Sequence, residues 1–492
     1  MAAGRYLAFD LGAESGRAMR GGIENGRIVM QEVHRFPTGI LELPSGQHWN
    51  IYRLYEEILA GIIRAVSHTD APLLGMGIDT WGVDFGLLDA SGRLLCLPYS
   101  YRDPRTRGAM ERFFHLMPRQ ELYARTGVQM LPFNTVFQLF AMKEARDPAL
   151  EAARTLLFIP DIFTYLLTGQ RTSEFTFATT SGMFDSRRLR FDPDILSLLG
   201  LDERLLCPMV MPGQGVYPLR PEVSHALGAG DLPVRLVAGH DTASAVAAVP
   251  ASGDNYVFIS SGTWSLMGFI SPTPVITDAT REANLTNEGS ADGGFRVLKN
   301  ITGLWLLQGL RRSFAARGED RDYTALTRLA QEVPPFAAVL DPDDPVFAAP
   351  PDMLAAFDRY LSATGQQPLR NPGGYIRLAL ESLAFKYRFV LGQLRDVCPR
   401  PIDTIHIIGG GVRNELLCRL TADACGLPVL AGPAEATALG NLLVQLVAAG
   451  EVPDLRRGRA LVALSVDPVR YEPKDTPGLE RAYQRFLQLN PR

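Results

Sequence analysis

The most chemically informative residues of the sequence follow an apolar, strand-like run at 234–238. This run leads into Gly239-His-Asp-Thr242, and a helix-like segment of small residues follows at 243–249. Ligands bind where strands end and helices begin in open α/β sheets, which places Asp241 at a candidate site. A carboxylate beside a helix N-terminus is held ionised and can accept a hydroxyl proton, although an Asp here can equally be a plain helix cap. His240 taken alone is more readily a packed histidine than a catalytic one.

Two short loops rich in Gly, Ser and Thr could bind phosphate. The first, at 10–17, reads Asp-Leu-Gly-Ala-Glu-Ser-Gly-Arg, and the second, at 260–263, reads Ser-Ser-Gly-Thr. Glycine lets backbone N–H groups surround an oxyanion, and a hydroxyl group adds a donor. An ordinary hairpin also uses Gly and Ser, but the second loop has more hydroxyl groups than a turn needs and favours phosphate. Both loops join two strand-like runs, which predicts two similar halves with a hinge at the small-residue segment 247–253.

A third glycine-rich motif, Gly409-Gly-Gly-Val-Arg-Asn414, lies between an apolar strand at 405–408 and a helix-like segment at 415–424. A strand, a glycine turn and a helix N-terminus form an arrangement that binds nucleotide phosphates. A dinucleotide is not expected, because Asn414 stands where such a site has its third glycine. A plain strand-to-helix turn is the alternative. The sequence contains no G-x-x-x-x-G-K-[ST] motif, which excludes a Walker-type site.

Two further polar segments have less specific interpretations. Residues 78–85 read Ile-Asp-Thr-Trp-Gly-Val-Asp-Phe at the end of another apolar strand. Trp81 could stack on a sugar, but burial in the core is the better expectation. Asn300 precedes an apolar segment at 301–310 that we predict to be a helix. It could bind a substrate, but the helix N-cap is favoured.

The elements that must position these residues alternate along most of the chain. Strand-like runs such as 74–79 and 256–259 are separated by amphipathic patterns such as 51–66 and 375–394. This alternation predicts α/β sheets covered by helices. A length of 492 residues exceeds what one hydrophobic core supports and predicts two domains.

Composition and cysteine usage limit the partners and the compartment. The formal net charge is −4 and no basic cluster is present, so neither nucleic acid nor a membrane surface is expected as a partner. The five cysteines are odd in number and form no C-x-x-C pair, which favours a reducing compartment. No secretory signal and no apolar run long enough to span a membrane is recognisable, and we expect a cytoplasmic protein.

Together these motifs resemble the FGGY family of carbohydrate kinases, which have the actin-like ATPase fold. The stretch 409–429 is similar to the C-terminal signature of that family. Six more blocks occur in the family's order and, within the family, are most similar to the kinases that act on L-rhamnulose. These blocks are 10–17, 77–85, 131–135, 240–244, 260–268 and 297–301.

The resemblance implies an α/β protein of two actin-like (ribonuclease-H-like) domains with an interdomain cleft. The domain at 1–246 would hold the sugar and the first phosphate loop, and the domain at 247–492 the second phosphate loop and the adenosine. The implied reaction transfers the terminal phosphate of ATP to the 1-hydroxyl of L-rhamnulose, with Mg²⁺, in L-rhamnose catabolism. The implied partners are therefore a small sugar and ATP, and a monomer is compatible with this. A kinase for fuculose or xylulose is the alternative, and a non-catalytic actin-like ATPase would leave the sugar-pocket residues unexplained.

The resemblance also assigns roles to single positions. The ATP phosphates would be held by Ala13, Glu14, Ser15, Gly16, Arg17 and Thr263. The rest of the nucleotide would contact Gln308 and Gly410. The sugar pocket would be lined by Gly82, His240, Asp241, Thr242 and Asn300. Asp241 would be the proton acceptor, and Asp10 would hold Mg²⁺ through water.

The sequence departs from the family pattern at three places. Thr135 and Gln138 stand where the N-terminal signature usually has Lys and Trp. Gly82 stands where glycerol kinases have Arg, so a clamp of the glycerol type is missing. Thr421 stands where some relatives have a cysteine four residues before the one that matches Cys425, so the disulfide of those relatives cannot form.

Overall fold

Strands and helices alternate along residues 5–67 and 72–489, which are the residues that the computed structural model describes. The strands are β1 (Arg5–Leu11), β2 (Ser15–Glu24), β3 (Arg27–Pro37), β4 (Ile40–Leu43), β5 (Gly46–Trp49), β6 (Leu73–Thr80), β7 (Phe85–Leu88), β8 (Thr155–Phe158), β9 (Ser173–Glu174), β10 (Phe184–Asp185), β11 (Arg190–Phe191), β12 (Met209–Val210), β13 (Val216–Pro218), β14 (Pro233–Arg235), β15 (Tyr256–Ser261), β16 (Trp264–Ser271), β17 (Thr286–Gly289), β18 (Phe295–Thr302), β19 (Thr404–Ile408), β20 (Val429–Ala431) and β21 (Val469–Tyr471).

The helices are α1 (Ile51–Ser67), α2 (Ala109–Phe113), α3 (Arg119–Thr126), α4 (Thr135–Glu144), α5 (Pro148–Ala152), α6 (Ile159–Thr168), α7 (Phe175–Ala178), α8 (Pro193–Leu199), α9 (Pro221–Leu227), α10 (Asp241–Ala247), α11 (Asp278–Glu282), α12 (Trp305–Ala315), α13 (Tyr323–Gln331), α14 (Met353–Ala363), α15 (Pro372–Val397), α16 (Glu415–Cys425), α17 (Ala436–Ala448), α18 (Leu455–Ser465) and α19 (Leu479–Leu489). Short 3₁₀ turns occur at Pro104–Thr106, Glu203–Leu205, Pro345–Phe347 and Gly410–Arg413.

These elements form two compact units. The first unit contains the residues through Pro250 together with Ile270–Val297 and Ala436–Ser465. The second unit contains Ala251–Phe269, Leu298–Glu435 and the residues from Val466 onwards. The chain therefore passes from one unit to the other several times, and two late segments complete the first unit.

The first unit is built on a six-stranded sheet with the order β13-β14-β6-β1-β2-β3. Strand β1 is antiparallel to β2 and parallel to β6, which puts Asp10 in register with Asp79. The side chains at 6–9 are all buried, as expected for a central strand with both faces covered. In β1 this buried apolar run is followed by the polar Asp10 near the carboxyl end of the strand.

Helices α1 and α17 cover the sheet of the first unit. The buried side chains of α1 recur every three or four positions, at Ile51, Leu54, Ile58, Ile62 and Ala65. Helix α17 comes after most of the second unit in sequence, yet its Gln445 Nε2 donates to the carbonyl oxygen of Leu7 in β1 at 3.1 Å. At Gly440, a Cβ atom would lie 1.7 Å from the backbone oxygen of Ser244, so only glycine permits the close approach of α17 to α10.

The sheet of the second unit contains five neighbouring strands in the order β16-β15-β19-β20-β21. Strand β15 is antiparallel to β16 and parallel to β19. This is the arrangement of β1 with β2 and β6, so the predicted repeat of strand, loop and strand is confirmed. Strand β19 is buried along Ile405–Ile408, which explains its continuous apolar sequence.

Most of the predicted elements are present, and one is wrong. Helices were expected at 51–66 and 375–394 and are found as α1 and α15. No helix begins at residue 301, because β18 continues through Thr302 and α12 begins only at Trp305. Asn300 therefore lies inside a strand and is not an N-cap. A short apolar run does not by itself distinguish a buried strand from a helix.

Within residues 5–67 and 72–489, no helix combines the length and the apolar character that crossing a membrane requires. All five cysteines are free thiols in the structure.

Candidate active site

Three carboxylates lie at the carboxyl ends of neighbouring strands in the first unit. Asp10 ends β1 in register with Asp79 of β6. The N–H group of Thr80 donates to the carbonyl oxygen of Gly239 at 2.9 Å. The segment that carries Asp241 therefore continues the sheet beside β6, at the edge where ligands bind in such folds.

Asp241 is the first residue of α10, and the N-cap position belongs to His240, whose side chain makes no capping hydrogen bond. The Asp241 carboxylate accepts hydrogen bonds from the backbone N–H and the hydroxyl group of Thr242. Although 31% of the side chain is exposed, the surrounding protein and the nearby Asp10 raise the pKa of Asp241 to about 7, against the opposing effect of Thr242. A pKa near neutrality suits a proton acceptor. Because His240 and not Asp241 holds the N-cap position, the plain N-cap alternative for Asp241 is wrong.

Asp10 and Asp79 form a pair of neighbouring carboxylates that could help to hold a cation. Asp79 is fully buried; its Oδ2 accepts from Asn441 Nδ2 at 2.7 Å, and its Oδ1 has no hydrogen-bond partner among the described residues. Burial and the charge of Asp10 raise the pKa of Asp79 well above its ordinary value. Asp10 Oδ2 lies 3.1 Å from Nε of Arg17. Among the described residues no three His, Cys, Asp or Glu side chains are grouped to hold a metal directly. Two carboxylates fit Mg²⁺, which is usually bound by one or two carboxylates and keeps several waters.

His240 lies beside Asp241 and faces Gly82. The imidazole ring is buried, and its Nε2 is 3.4 Å from Asp241 Oδ1. Its Nδ1 lies 3.1 Å from Nη2 of Arg296. Burial and the charge of Arg296 hold the pKa of His240 well below its ordinary value, so the ring is neutral. The expectation of a merely packed histidine is incomplete, since the ring also reaches the carboxylate.

Gly82 leaves the space beside the His240 ring open. A Cβ atom at this position would lie 3.0 Å from His240 Nε2, and the backbone of Gly82 is not in the left-handed region. A Cβ atom would therefore make a tight contact with the ring, whereas the backbone conformation places no restriction on the residue. The following Val83 has a φ of 65°, which is strained for a β-branched residue. Its carbonyl oxygen accepts from the hydroxyl of Thr135 at 2.6 Å, which gives that departure from the family pattern a role in holding the turn.

Trp81 is buried, and the expectation of a core residue is confirmed. Its Nε1 donates to Asp84 at 3.0 Å, and Nε1 of Trp49 donates to the same carboxylate oxygen at 2.6 Å. Gln138 Nε2 donates to the other oxygen of Asp84 at 2.9 Å and accepts from Arg105 through its own oxygen. Burial raises the pKa of Asp84 to about 6. Gln138 thus uses its amide group to anchor the turn that carries Gly82.

Sequence reasoning missed the residues that hold this segment from behind. Glu174 Oε2 accepts from the N–H of Gly239 at 3.0 Å, and Thr176 Oγ1 accepts from the N–H of His240 at 3.2 Å. Burial raises the pKa of Glu174 to about 7. Glu174, Thr176 and Arg296 are far from residue 240 in sequence and belong to no motif. The one usable signal was Arg296 among the apolar residues Phe295, Val297 and Leu298, because an arginine is almost never fully buried unless it is paired.

The first phosphate loop is a tight hairpin between β1 and β2. The N–H of Gly12 donates to the carbonyl oxygen of Ser15 at 3.1 Å, and the turn is formed by residues 13–14. A Cβ atom on Gly16 would lie 2.3 Å from an aromatic ring of β3, so packing alone already requires that glycine. Arg17 extends back toward Asp10. The loop is therefore a structural hairpin, and phosphate binding by its turn stays a prediction.

The second phosphate loop is joined to helix α12 of the second unit. The carbonyl oxygen of Thr263 accepts from the N–H of Trp305 at 3.1 Å. Gln308 Nε2 donates to Thr263 Oγ1 at 3.3 Å. Gln308 Oε1 is buried and has no hydrogen-bond partner among the described residues. An acceptor oxygen thus remains at the loop for a donor group of a ligand.

The three glycines at 409–411 differ in why the structure can use glycine at each position. Gly409 has a φ of 83°, and a Cβ atom on Gly411 would lie 2.0 Å from Ser261 Oγ. Gly410 is exposed, and a Cβ atom there would meet nothing within 4 Å. Asn414 caps α16, since its Oδ1 accepts a hydrogen bond from the backbone N–H of Leu417 at 2.9 Å. The predicted strand, glycine turn and helix are confirmed, and Gly410 is the glycine that faces open space.

The predicted site residues are thus divided between the units. The first unit places together Asp10, Gly82, His240, Asp241 and Thr242, with the hairpin that contains Ala13, Glu14, Ser15, Gly16 and Arg17. The second unit contains Thr263, Gln308, Gly410 and the half-buried Asn300.

A carboxylate at a helix start beside the central strands and a glycine turn between a strand and a helix, in one α/β chain, are compatible with a kinase that phosphorylates a small molecule. The N-terminal domain of the FGGY family of carbohydrate kinases matches residues 5–248, and its C-terminal domain matches residues 257–449. The chain belongs to the FGGY family of carbohydrate kinases. It is 44% identical over 481 residues to a rhamnulokinase of Bacteroides thetaiotaomicron, with 98% of both chains covered. It is 39% identical over 492 residues to a rhamnulokinase of Pectobacterium carotovorum, with 100% of this chain and 97% of the relative covered.

Solved structures agree on the fold. A ligand-bound xylulose kinase from Lactobacillus acidophilus superposes with a TM-score of 0.81 at 16% identity, covering 99% of this chain and 96% of the other. Plasmodium falciparum glycerol kinase with ADP gives a TM-score of 0.77 at 13% identity, covering 99% and 97%. The chain therefore has the actin-like ATPase fold of sugar kinases, as the sequence resemblance implied.

Proposed function

We propose that this carbohydrate kinase transfers the terminal phosphate of ATP to the 1-hydroxyl group of L-rhamnulose, giving L-rhamnulose 1-phosphate and ADP in L-rhamnose catabolism. Its rhamnulokinase relatives match it along nearly their whole length. The observation that carries the chemistry is Asp241, a carboxylate with a pKa raised to about 7 at the end of the central strands. This group stands beside a neutral His240 and the open face of Gly82.

The acceptor sugar would bind to the polar groups around Asp241. His240, Thr242 and Asn300 would hydrogen-bond its oxygens, and Gly82 would let a carbon skeleton lie against the backbone. As the 1-hydroxyl oxygen of the sugar forms its bond to phosphorus, Asp241 would take the hydroxyl proton, and the bond from phosphorus to the β,γ-bridging oxygen of ATP would break. Positioning and charge neutralisation supply most of the catalysis in such reactions, with one base for the proton.

The nucleotide would be held by backbone and hydroxyl donors. The turn at 13–17 and the hydroxyl of Thr263 would bind phosphate oxygens. Gln308 Oε1, which is buried and lacks a partner among the described residues, would accept from a hydroxyl or amino group of the adenosine. Gly410 would allow the nucleotide to lie against the backbone, because nothing occupies the space beside its Cα.

Mg²⁺ fits the carboxylates of the first unit. Asp10 would hold it through water, and the free Oδ1 of Asp79 supplies a further acceptor for a metal-bound water. When bound, Mg²⁺ neutralises charge on the phosphates of ATP. Arg17, which lies against Asp10, holds the pair in place without a metal.

The setting follows from the substrates. We propose that the protein acts in the cytoplasm, where ATP is available and where its five free cysteines fit a reducing environment. Its partners would be the sugar and ATP.

An assay of ADP release over a panel of ketoses tests the proposal. L-rhamnulose should be the best substrate, and L-fuculose and D-xylulose should be poorer. Glycerol should be inert, because this chain has Gly82 where glycerol kinases have an arginine. Reactions without sugar give the background of ATP hydrolysis. A preference for glycerol, or equal rates with all ketoses, would contradict the proposed substrate.

A further inference from the structure

Arg296 is a fully buried arginine behind the proposed sugar pocket. Its exposed fraction is 0%. Nε donates to the carbonyl oxygen of Gly289 at 2.9 Å, and Nη2 lies 3.2 Å from Oε2 of Glu288 and 3.1 Å from Nδ1 of His240. One guanidinium nitrogen thus bridges a carboxylate and the imidazole ring.

The contact with Arg296 decides which nitrogen of His240 carries the proton. A guanidinium group has only donors, so Nδ1 of His240 must be the acceptor of this hydrogen bond. A neutral imidazole that accepts at Nδ1 has its proton on Nε2. Nε2 is the nitrogen that faces Gly82, at 3.0 Å from the place of a Cβ atom there. The fixed donor therefore faces Gly82 and lies 3.4 Å from Asp241 Oδ1, and the family resemblance places both of these residues in the sugar pocket.

Glu288 would produce the opposite state if Arg296 were absent. Its Oε2 lies 3.5 Å from Nδ1 of His240. A carboxylate at that distance favours a proton on Nδ1, and it also favours the charged ring. The other titratable group near the ring is Asp241, on the Nε2 side at 3.4 Å. Arg296 neutralises Glu288 and occupies Nδ1, so both routes to a different protonation state are closed.

We propose that Arg296 is a positioning residue that fixes His240 in the Nε2–H form, so that the ring donates a hydrogen bond to an oxygen of the acceptor sugar. The donation to a sugar rests on the proposed function, whereas the tautomer does not. The arrangement makes the pocket selective for an acceptor oxygen at this point.

Nitrogen-15 NMR of histidine-labelled protein measures the tautomer without any substrate. The His240 signals are identified by their loss in His240→Gln. The wild type should show a protonated Nε2 and an unprotonated Nδ1 from about pH 6 to about pH 8, where an ordinary histidine titrates. Ionisation of the neighbouring Asp241, whose pKa is about 7, can shift the Nε2 signal in this range without moving the proton. A proton on Nδ1, or protonation of both ring nitrogens in that range, would overturn the proposal whether or not any ketose is a substrate.

Variants of Arg296 connect the tautomer to binding. In Arg296→Met, the proton should move to Nδ1 beside Glu288, and KM for the sugar should rise about tenfold or more while KM for ATP changes little. Arg296→Lys keeps the charge and one donor and should recover part of the loss. Arg204→Met, at an arginine whose side chain is 90% exposed, is the matched control and should resemble the wild type.

The double variant Arg296→Met with Glu288→Gln covers the case in which Arg296→Met alone fails to fold. It removes the negative charge that loses Arg296 as a partner, and the glutamine amide can itself donate to Nδ1. It should fold and restore the Nε2–H signal. A folded Arg296→Met variant that keeps Nε2–H and the wild-type sugar KM would contradict the role of Arg296. A folded double variant with the proton on Nδ1 and the wild-type sugar KM would also contradict it. An inactive wild type with the expected tautomer would contradict only the proposed substrate.

Discussion

The environment that raises the pKa of Asp241 suits this carboxylate to accept a proton, but it also makes the charged form unfavourable in the folded protein. Asp241→Asn removes the charge and keeps the shape of the side chain. We expect the turnover number to fall by about 10²- to 10⁴-fold, the usual cost of losing a general base. Binding of ATP and of the sugar should change little. Steady-state kinetics with separate titration of each substrate measures this, and a turnover within a few-fold of the wild type would contradict the assignment.

The same substitution should change stability in a pH-dependent direction. The folded-state pKa of Asp241, about 7, lies above its ordinary value of 3.8, so ionisation of this group opposes folding. Its contribution to stability is fully present below about pH 4 and is lost as the pH rises through about 7. Asp241→Asn should therefore melt at an equal or higher temperature than the wild type at about pH 8, with no such advantage at acidic pH. Catalytic efficiency of the wild type should fall as the pH falls below about 7.

A substitution at Gly82 tests whether this glycine is needed for sugar binding or for the structure of the turn. Its backbone conformation is open to any residue, so Gly82→Ala should fold with a melting temperature near that of the wild type. The added methyl group lies 3.0 Å from His240 Nε2 and should reduce catalytic efficiency for the sugar by crowding the bound state. Efficiency per folded molecule and thermal melting are measured on the same preparation. A sharp fall in melting temperature with unchanged efficiency would show that the glycine is structural.

At the scale of elements, the glycine turn after β19 offers a matched pair of substitutions. Gly410→Ala adds a methyl group in open space, whereas Gly411→Ala places one 2.0 Å from Ser261 Oγ. We expect Gly410→Ala to keep its stability and to raise KM for ATP. Gly411→Ala should lower the melting temperature by several degrees, since overpacking typically costs about 1–3 kcal/mol. If Gly410→Ala has normal ATP kinetics, that glycine does not contact the nucleotide.

The elements also show which parts of the site the sequence could predict. Loops at 10–17, 260–263 and 409–414 were predictable because glycine and hydroxyl residues are typical of turns and helix starts, although packing against distant residues also requires Gly16 and Gly411. The position of Asn300 was not, because an apolar run follows it and only the tertiary structure decides where β18 ends and α12 begins. The contact of Arg296 with His240 joins residues 56 positions apart and leaves no periodic signal. Local chemistry was therefore readable, and support from distant strands was not.

At the scale of the molecule, the first unit depends on a helix that is encoded late in the chain. The buried residues of α17 include Leu439, Leu442 and Leu446, and its Asn441 holds Asp79. We therefore expect residues 1–250 expressed alone to be poorly folded, because the sheet lacks this cover. Attaching 436–465 through a flexible linker should restore part of the cooperative melting. A stable, cooperatively melting 1–250 fragment would contradict this dependence.

The late position of helix α17 in the sequence also delays completion of the first unit during synthesis on the ribosome. Asp79 and Asn441 are 362 residues apart, so the first unit cannot be complete when its own strands have emerged. At about 5–20 residues per second, translation from residue 250 to residue 441 takes roughly 10–40 s. During that time the apolar sheet of the first unit is exposed, and this nascent chain is the form of the protein that most needs a chaperone. Slow codons or a pause between residues 250 and 441 should therefore lower the yield of active enzyme more than the same pause placed after residue 465.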